Sequence, residues 1–142
     1  MKSLCICILL FILQDIIAQN ISHNLVAFSV ESEIFKKEFT ICKSDSNIIF
    51  FDKTNTIDSL DKFRVCNVQI NVSHDSAYSK FKPSSYYDDA KTKYLIIFYD
   101  IVKKGNYYTV YFWRPYSGAN LEFTIRINRK KPILIKYRVS TF

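Results

Sequence analysis

Residues 93–141 read KYLIIFYDIVKKGNYYTVYFWRPYSGANLEFTIRINRKKPILIKYRVST, and this stretch decides the fold class. Apolar and polar residues alternate along four segments of it, and turn-forming residues separate the segments, a pattern typical of strands. Because the connections are short, the four segments are predicted to form an antiparallel meander. The predicted strands are residues 93–102, 107–113, 120–128 and 133–141, and the predicted turns are residues 103–106, 114–118 and 129–132.

The N-terminal half shows similar alternation. In residues 25–31 Val26, Phe28 and Val30 share one face of a predicted strand, and residues 34–42 repeat the pattern. Residues 48–51 are wholly apolar, which indicates a central strand, and residues 63–72 predict a further strand. We therefore predict an all-β fold, an antiparallel sandwich or small barrel of about eight strands with the four-strand meander at its C-terminus. Residues 73–92 carry little pattern and are interpreted as a loop within one domain.

The first 18 residues have the pattern of a secretory leader. Lys2 supplies a positive charge, residues 4–13 are apolar without interruption, and Ala18 offers a cleavage point. The apolar run is too short to span a bilayer, so we expect no transmembrane anchor. The sequence predicts a signal peptide at residues 1–18 and a single secreted β domain at residues 19–142, located outside the cell.

Two cysteines remain after the leader, and an oxidising compartment favours a disulfide between Cys42 and Cys66. The alternatives are a reactive thiol or one intermolecular bridge. Closing a loop of that length stabilises a fold by about 3 kcal/mol. Two N-glycosylation motifs also remain, at Asn20 and Asn71. We expect a glycan at Asn71, on a turn, and hold Asn20 as a second acceptor on an N-terminal tip.

The chain holds 20 Lys and Arg against 13 Asp and Glu, a net charge of +7. Outside the cell this excess favours anionic partners: a glycosaminoglycan, phospholipid head groups or an acidic protein face. Nucleic acid is not an expected partner, because a secreted chain rarely meets it. An alternative stays open, in which the charge only keeps an aromatic-rich domain soluble.

Six cations cluster around the last predicted turn. In a suitable register Thr124 and Arg126 share a face with Leu134, Lys136 and Arg138, while further cations occupy the tip. Such a cluster predicts binding of sulfate, phosphate or carboxylate groups. The alternative is a solvated sheet face whose charges prevent edge-to-edge pairing. The candidate cations are Arg126, Arg129, Lys130, Lys131, Lys136 and Arg138.

An aromatic run provides the second candidate surface. Tyr107, Tyr111 and Trp113 share one face of the strand at residues 107–113. These residue types dominate binding hot spots, so the face predicts contact with a ligand or partner. Residues 93–102 are likewise apolar on both faces, which requires a cover on the second face: a hydrophobic ligand, a partner or the loop at residues 73–92.

Residues that carry chemistry are scarce. His74-Asp75 is the one His–acid neighbourhood, and adjacent residues on a strand point in opposite directions. Asp88 and Asp89 supply too few oxygens for a calcium loop, and two cysteines cannot complete a zinc site. With two glycines in the chain, a glycine-rich phosphate loop is excluded. We expect no catalysis, cofactor or metal.

The sequence thus predicts a secreted, non-enzymatic protein that binds an extracellular protein or anionic glycan through the aromatic face and the basic hairpin. The alternative function is carriage of a small hydrophobic or lipid ligand in a cavity of the β fold. The oligomeric state stays open.

Overall fold

The computed structural model describes residues 17–18, 20–43, 48–57, 62–66, 68–81 and 93–141. Over these residues the chain forms one seven-stranded mixed sheet, curled into a half-barrel, and two helices pack against one face of it. The fold is therefore broadly all-β, as predicted. The second layer, however, consists of helices rather than of a second sheet.

The element bounds are as follows. The helices are α1, described at residues 17–18 and 20–31, and α2 at Glu33–Glu38, and 3₁₀ turns lie at Ile41–Lys43 and Ser76–Tyr78. The strands are β1 (Ile48–Asp52), β2 (Lys62–Val65), β3 (Val68–Ser73), β4 (Leu95–Lys104), β5 (Tyr107–Arg114), β6 (Ala119–Asn128) and β7 (Lys131–Thr141). Their order across the sheet is β2-β3-β1-β4-β5-β6-β7.

The C-terminal meander forms as predicted. Strands β4 to β7 each pair antiparallel with the next strand in the chain, and every bound lies within two residues of the predicted one. Strong alternation and short turns make this part of the chain readable, because each strand finds its partner locally.

Strand β1 makes the sheet mixed. It lies between β3 and β4 and runs parallel to both, so the prediction of a central strand is confirmed, whereas the sheet as a whole is not antiparallel. Phe50 and Phe51 are both buried although they point to opposite faces. Burial on both faces is the usual condition of strands in parallel pairs.

The predicted strands at residues 25–31 and 34–42 are wrong, because both segments are helical. Leu25, Val26, Ser29 and Val30 are buried, and their spacing fits a 3.6-residue period as well as Val26, Phe28 and Val30 fit a period of two. Ser32 begins α2 by accepting a hydrogen bond on Oγ from the Phe35 N–H at 3.2 Å.

The segment at residues 63–72, predicted as one strand, is a hairpin. It turns at Cys66, whose φ is 55°, and β2 and β3 then pair antiparallel. The predicted disulfide between Cys42 and Cys66 is present, with 5.5 Å between the two Cα atoms. It ties the chain after α2 to the turn of this hairpin.

We call the helix-covered face of the sheet the inner face. Phenylalanines dominate it: the Phe35 ring lies 5.0 Å from that of Phe112, which lies 6.0 Å from that of Phe123. The opposite, outer face carries a smaller buried cluster around Trp113. Tyr78 and Phe81 pack against that cluster. The described part of the predicted loop therefore covers this end of the outer face.

Candidate binding surface

The net charge of the chain comes entirely from the meander. Residues 95–142 hold nine Lys and Arg but two acidic residues, Asp100 and Glu122, whereas residues 1–94 hold eleven of each sign. The excess of +7 is thus confined to the last third of the chain. One of the nine cations, Arg114, has a structural role, which leaves eight for the surface.

Two hairpin turns lie at the same end of the meander, because alternate connections of a meander share an end. One is Gly105-Asn106, with φ of 61° at the glycine, and the other is Arg129-Lys130, with φ of 47° and 69°. Two-residue turns with positive φ at both residues favour Asn-Gly, because positive φ strains residues that carry a Cβ. We call this end the basic end; its cations are Lys103, Lys104, Arg126, Arg129, Lys130 and Lys131.

The strand register places the aromatic and basic candidates on the same face. Across the outer face Lys104 is opposite Tyr107, Tyr107 is opposite Arg126, and Arg126 is opposite Ile133. Tyr107 is 42% exposed and Ile133 is 38% exposed, and Arg126 between them is exposed as well. A cation here lies directly between two exposed apolar side chains.

Further rows on the outer face continue this mixture. Tyr111 is opposite Glu122, which is opposite Arg138, and Thr124 is opposite Lys136. Both Lys136 and Arg138 are exposed. Because Glu122 is the one acidic side chain on β6 and β7, the outer face of the last two strands is predominantly cationic.

Leu134 and Trp113 do not lie on the exposed outer face, where the sequence predicted them. The register shifts between Thr124 and Ile125, so Leu134 lies opposite Ile125 on the inner face and Ile133 joins Arg126 instead. Trp113 is fully buried in the outer-face cluster. It packs the sheet and is not part of the exposed surface.

A cleft of about 400 Å³ opens between the two hairpins at the basic end. Lys103 lies over the ring of Tyr108 there, with Nζ 5.6 Å from the ring centroid, a cation–π distance. The cleft thus combines fixed positive charge with polar backbone turns. Its lining residues are Lys103, Gly105, Asn106, Tyr108, Arg126, Ile127 and Asn128.

A second groove, of about 420 Å³, lies between the first turns of α1 and the β6–β7 hairpin. Ile21, Ile127 and Pro132 give it apolar walls, and Lys130 adds one cation. Ile17 also lines it, although this residue belongs to the predicted leader. The remaining lining residues are Asn20, Asn24 and Leu25.

Tyr99 marks the border between the covered and open parts of the outer face. Its ring lies 5.6 Å from that of Tyr111. Burial of the hydroxyl, together with the nearby negative charge of Glu122, raises the pKa of Tyr99 to about 12. The phenol therefore stays protonated well above physiological pH.

The predicted glycosylation sites are both within regular structure. Asn71 lies inside β3, paired with β1 and β2, rather than on a turn, and its Oδ1 accepts a hydrogen bond from Gln69 Nε2 at 3.1 Å. Asn20 lies exposed on a helix rather than on an irregular tip. Attachment of glycans at either position stays a prediction.

The His–acid pair has structural contacts. His74 Nδ1 is 2.9 Å from Asn55 Oδ1, and the Asp75 carboxylate accepts a hydrogen bond from the Ala77 N–H at 2.9 Å. Asp88 and Asp89 lie outside the described residues. Within the described ranges no group of three or more His, Cys, Asp and Glu side chains is placed to hold a metal ion.

Two polar anchors were missed from the sequence. The buried Asp52 carboxylate accepts hydrogen bonds from the Thr54 N–H and hydroxyl and from the Ile57 N–H, at 2.9, 2.6 and 2.7 Å. Arg114 donates to the Phe39 carbonyl, to the Thr40 hydroxyl at 3.0 Å and to the Lys93 carbonyl at 2.9 Å. No local pattern marks either role.

Arg114 joins the helices to the sheet at the end opposite the basic end. Its guanidinium meets the C-terminus of α2, where helix carbonyls lack partners and positive charge is favourable. Desolvation by burial lowers the pKa of the Arg114 guanidinium below its ordinary value. Arg114 therefore holds the α2 end in place.

Comparisons of the chain with protein-family models, curated proteins and solved structures find no match. Among the described residues, no helix combines the length and apolarity that crossing a membrane requires. The disulfide is compatible with an extracellular location.

Proposed function

We propose that this chain is a secreted, non-enzymatic binding protein that recognises an anionic glycan through the basic end of its meander. The leader pattern, the disulfide and the two glycosylation motifs support the extracellular location. Sulfated and carboxylated glycans are the abundant polyanions of that compartment, and clustered Lys and Arg bind their groups through charge-assisted hydrogen bonds.

The observation that carries the proposal is the distribution of charge. The whole excess of +7 falls within residues 95–142, and the strand topology collects six of its cations at one end of the sheet. A net positive charge that served only solubility would not need to be concentrated in one part of the chain. The strained turn at Arg129-Lys130 supports the same conclusion, because Asn-Gly fits that geometry better but removes two cations.

Tyr107 supplies the apolar half of the proposed contact. Its exposed ring lies between Lys104 and Arg126, so a sugar ring placed on it brings its anionic substituents next to both cations. Flat aromatic faces beside cations are the usual composition of binding hot spots.

Heparin serves as the probe. We expect residues 19–142 to bind it with an affinity that falls steeply as salt rises, because the contacts are ionic. The R129N/K130G variant removes two tip cations while easing the turn, and it is expected to bind about tenfold more weakly. The matched control K53A/R64A removes two exposed cations outside the meander and should leave the affinity unchanged.

Three outcomes would contradict the proposal. One is the absence of heparin binding at low salt. Another is an equal loss in R129N/K130G and in K53A/R64A, which would show that only net charge matters. The third is binding that is insensitive to salt. Replacing Tyr107 by Ala tests the ring separately: we expect weaker binding with an unchanged salt dependence.

A second candidate function, carriage of a hydrophobic ligand, is favoured by the groove between α1 and the β6–β7 hairpin. Cleavage of the leader removes Ile17, but Ile21, Leu25, Ile127 and Pro132 keep its walls apolar. Lys130 also lines the groove, a combination that suits a fatty acid with its carboxylate at the lysine. Native mass spectrometry of residues 19–142 incubated with palmitate checks this idea. A protein that stays unloaded, or that loads equally when Ile21 is changed to Asp, would contradict it.

A further inference from the structure

Strand β7 is an open edge of the sheet. It is eleven residues long, and among the described residues the sheet ends with it, so its outward N–H and C=O groups have no strand beside them. A row of outward backbone donors and acceptors is a template for one more strand. The other edge of the sheet, β2, has four residues.

The regular part of this edge is short. A bulge at residue 135 shifts the register, and Pro132 removes one backbone N–H from the first part of the strand. Residues 136–141 follow without interruption and pair in regular register with β6. These six residues are the usable edge.

The side chains of the usable edge alternate in chemistry. Tyr137 and Val139 lie on the inner face opposite the fully buried Phe123 and Leu121, yet they are 51% and 38% exposed. The apolar layer of the inner face therefore extends onto β7, where the helices no longer cover it. On the outer face the same six residues carry the exposed cations Lys136 and Arg138, with Ser140 after them.

We propose that residues 136–141 accept an extended acidic segment of a partner protein as an eighth strand. The segment has apolar residues that alternate with Asp or Glu. Its apolar side chains pack beside Tyr137 and Val139 and complete the inner-face layer, while its carboxylates lie beside Lys136 and Arg138. Main-chain hydrogen bonds supply affinity, and the alternation supplies specificity.

Charge selects this occupant over the alternatives. A second copy of the chain brings its own Lys136 and Arg138 and a meander of net charge +7 against the same edge, so like charges oppose that pairing. A glycan offers no backbone to pair with the strand. This inference concerns a different part of the surface from the basic end and does not depend on glycan binding.

The test uses a fluorescein-labelled peptide, Glu-Val-Glu-Ile-Glu-Val, and fluorescence anisotropy. We expect it to bind about tenfold more tightly than the block peptide Glu-Glu-Glu-Val-Ile-Val, which has the same composition and charge. N-methylation of alternate residues of the first peptide should abolish binding when the methylated nitrogens are the ones that face β7. Hydrogen exchange should slow at outward-facing amides of residues 136–141 when the first peptide is bound.

A charge swap separates pairing from general attraction. The K136E/R138E variant should lose the acidic peptide and instead bind Lys-Val-Lys-Ile-Lys-Val. The matched control K53E/R64E makes the same change of charge at two exposed cations outside the meander, and it should retain most binding of the acidic peptide. Equal binding of the block peptide, equal losses in both variants, or no protection of β7 amides would each overturn the proposal. Heparin binding by the wild-type protein is read separately, so either idea can fail alone.

Discussion

Replacing Arg129-Lys130 by Asn-Gly should stabilise this protein. Both residues adopt left-handed backbone conformations, with φ of 47° and 69°, and each such non-glycine residue costs on the order of 1 kcal/mol or more. Asparagine tolerates this region and glycine occupies it without strain. After allowing for the greater unfolded-state freedom of glycine, we expect a gain of about 1–2 kcal/mol for R129N/K130G.

Thermal unfolding measured by circular dichroism is the assay, and a gain of that size raises Tm by about 3–8 °C for a domain of this length. The measurement should be made at high salt, which screens the repulsion among the neighbouring cations. The loss of two positive charges then does not itself raise Tm. The control is Gly105→Ala in the other hairpin turn. Gly105 has φ of 61° and open space around an added Cβ, so its loss of about 1 kcal/mol is a backbone effect. An unchanged or lower Tm in R129N/K130G would refute the assignment of a strained turn.

Three further outcomes follow from the polar anchors and from Tyr99. Changing Arg114 to Ala should cost about 2–4 kcal/mol in urea unfolding, and Lys should recover part of that loss, because it keeps the charge but not the forked geometry. Changing Asp52 to Ala should cost a similar amount, since a buried N–H at Ile57 then lacks its acceptor. Tyr99 should ionise near pH 12 in ultraviolet titration, above its ordinary 10.0. The stabilisation from its neutral form is complete below pH 10 and is lost as pH rises towards 12. Changing Glu122 to Gln should lower that pKa, and an unchanged titration would contradict the assigned effect of the Glu122 charge.

The meander was predictable because the residues that determine each strand and its partner lie close together in the sequence. Each strand from Leu95 to Thr141 alternates clearly, and short turns bring it beside the preceding strand. The disulfide was predictable from the leader pattern and the count of cysteines. Four of the six cations at the basic end could also be predicted from the sequence, because they surround the last turn of the meander. Lys103 and Lys104 were not predicted, because only the strand topology brings the other hairpin to the same end.

The remaining features depend on distant parts of the chain. Residues 25–31 satisfy both a two-residue and a helical period, and only the sheet that receives Leu25 and Val26 decides between them. The parallel placement of β1 has no local signal, because its partner β4 begins more than 40 residues later. The bulge that turns Leu134 inward likewise reflects packing rather than pattern.

The Arg114 clamp also bears on how the polypeptide matures as it is synthesised. It joins Arg114 to the Phe39 carbonyl across 75 positions of the chain, so the helices, which are made first, meet their binding site on the sheet only after β5 has been made. Contacts between distant positions slow folding, because a long loop must close before they form. The earliest part of the nascent chain therefore waits for β5, and a molecule truncated after β4 lacks Phe112, the ring against which Phe35 packs.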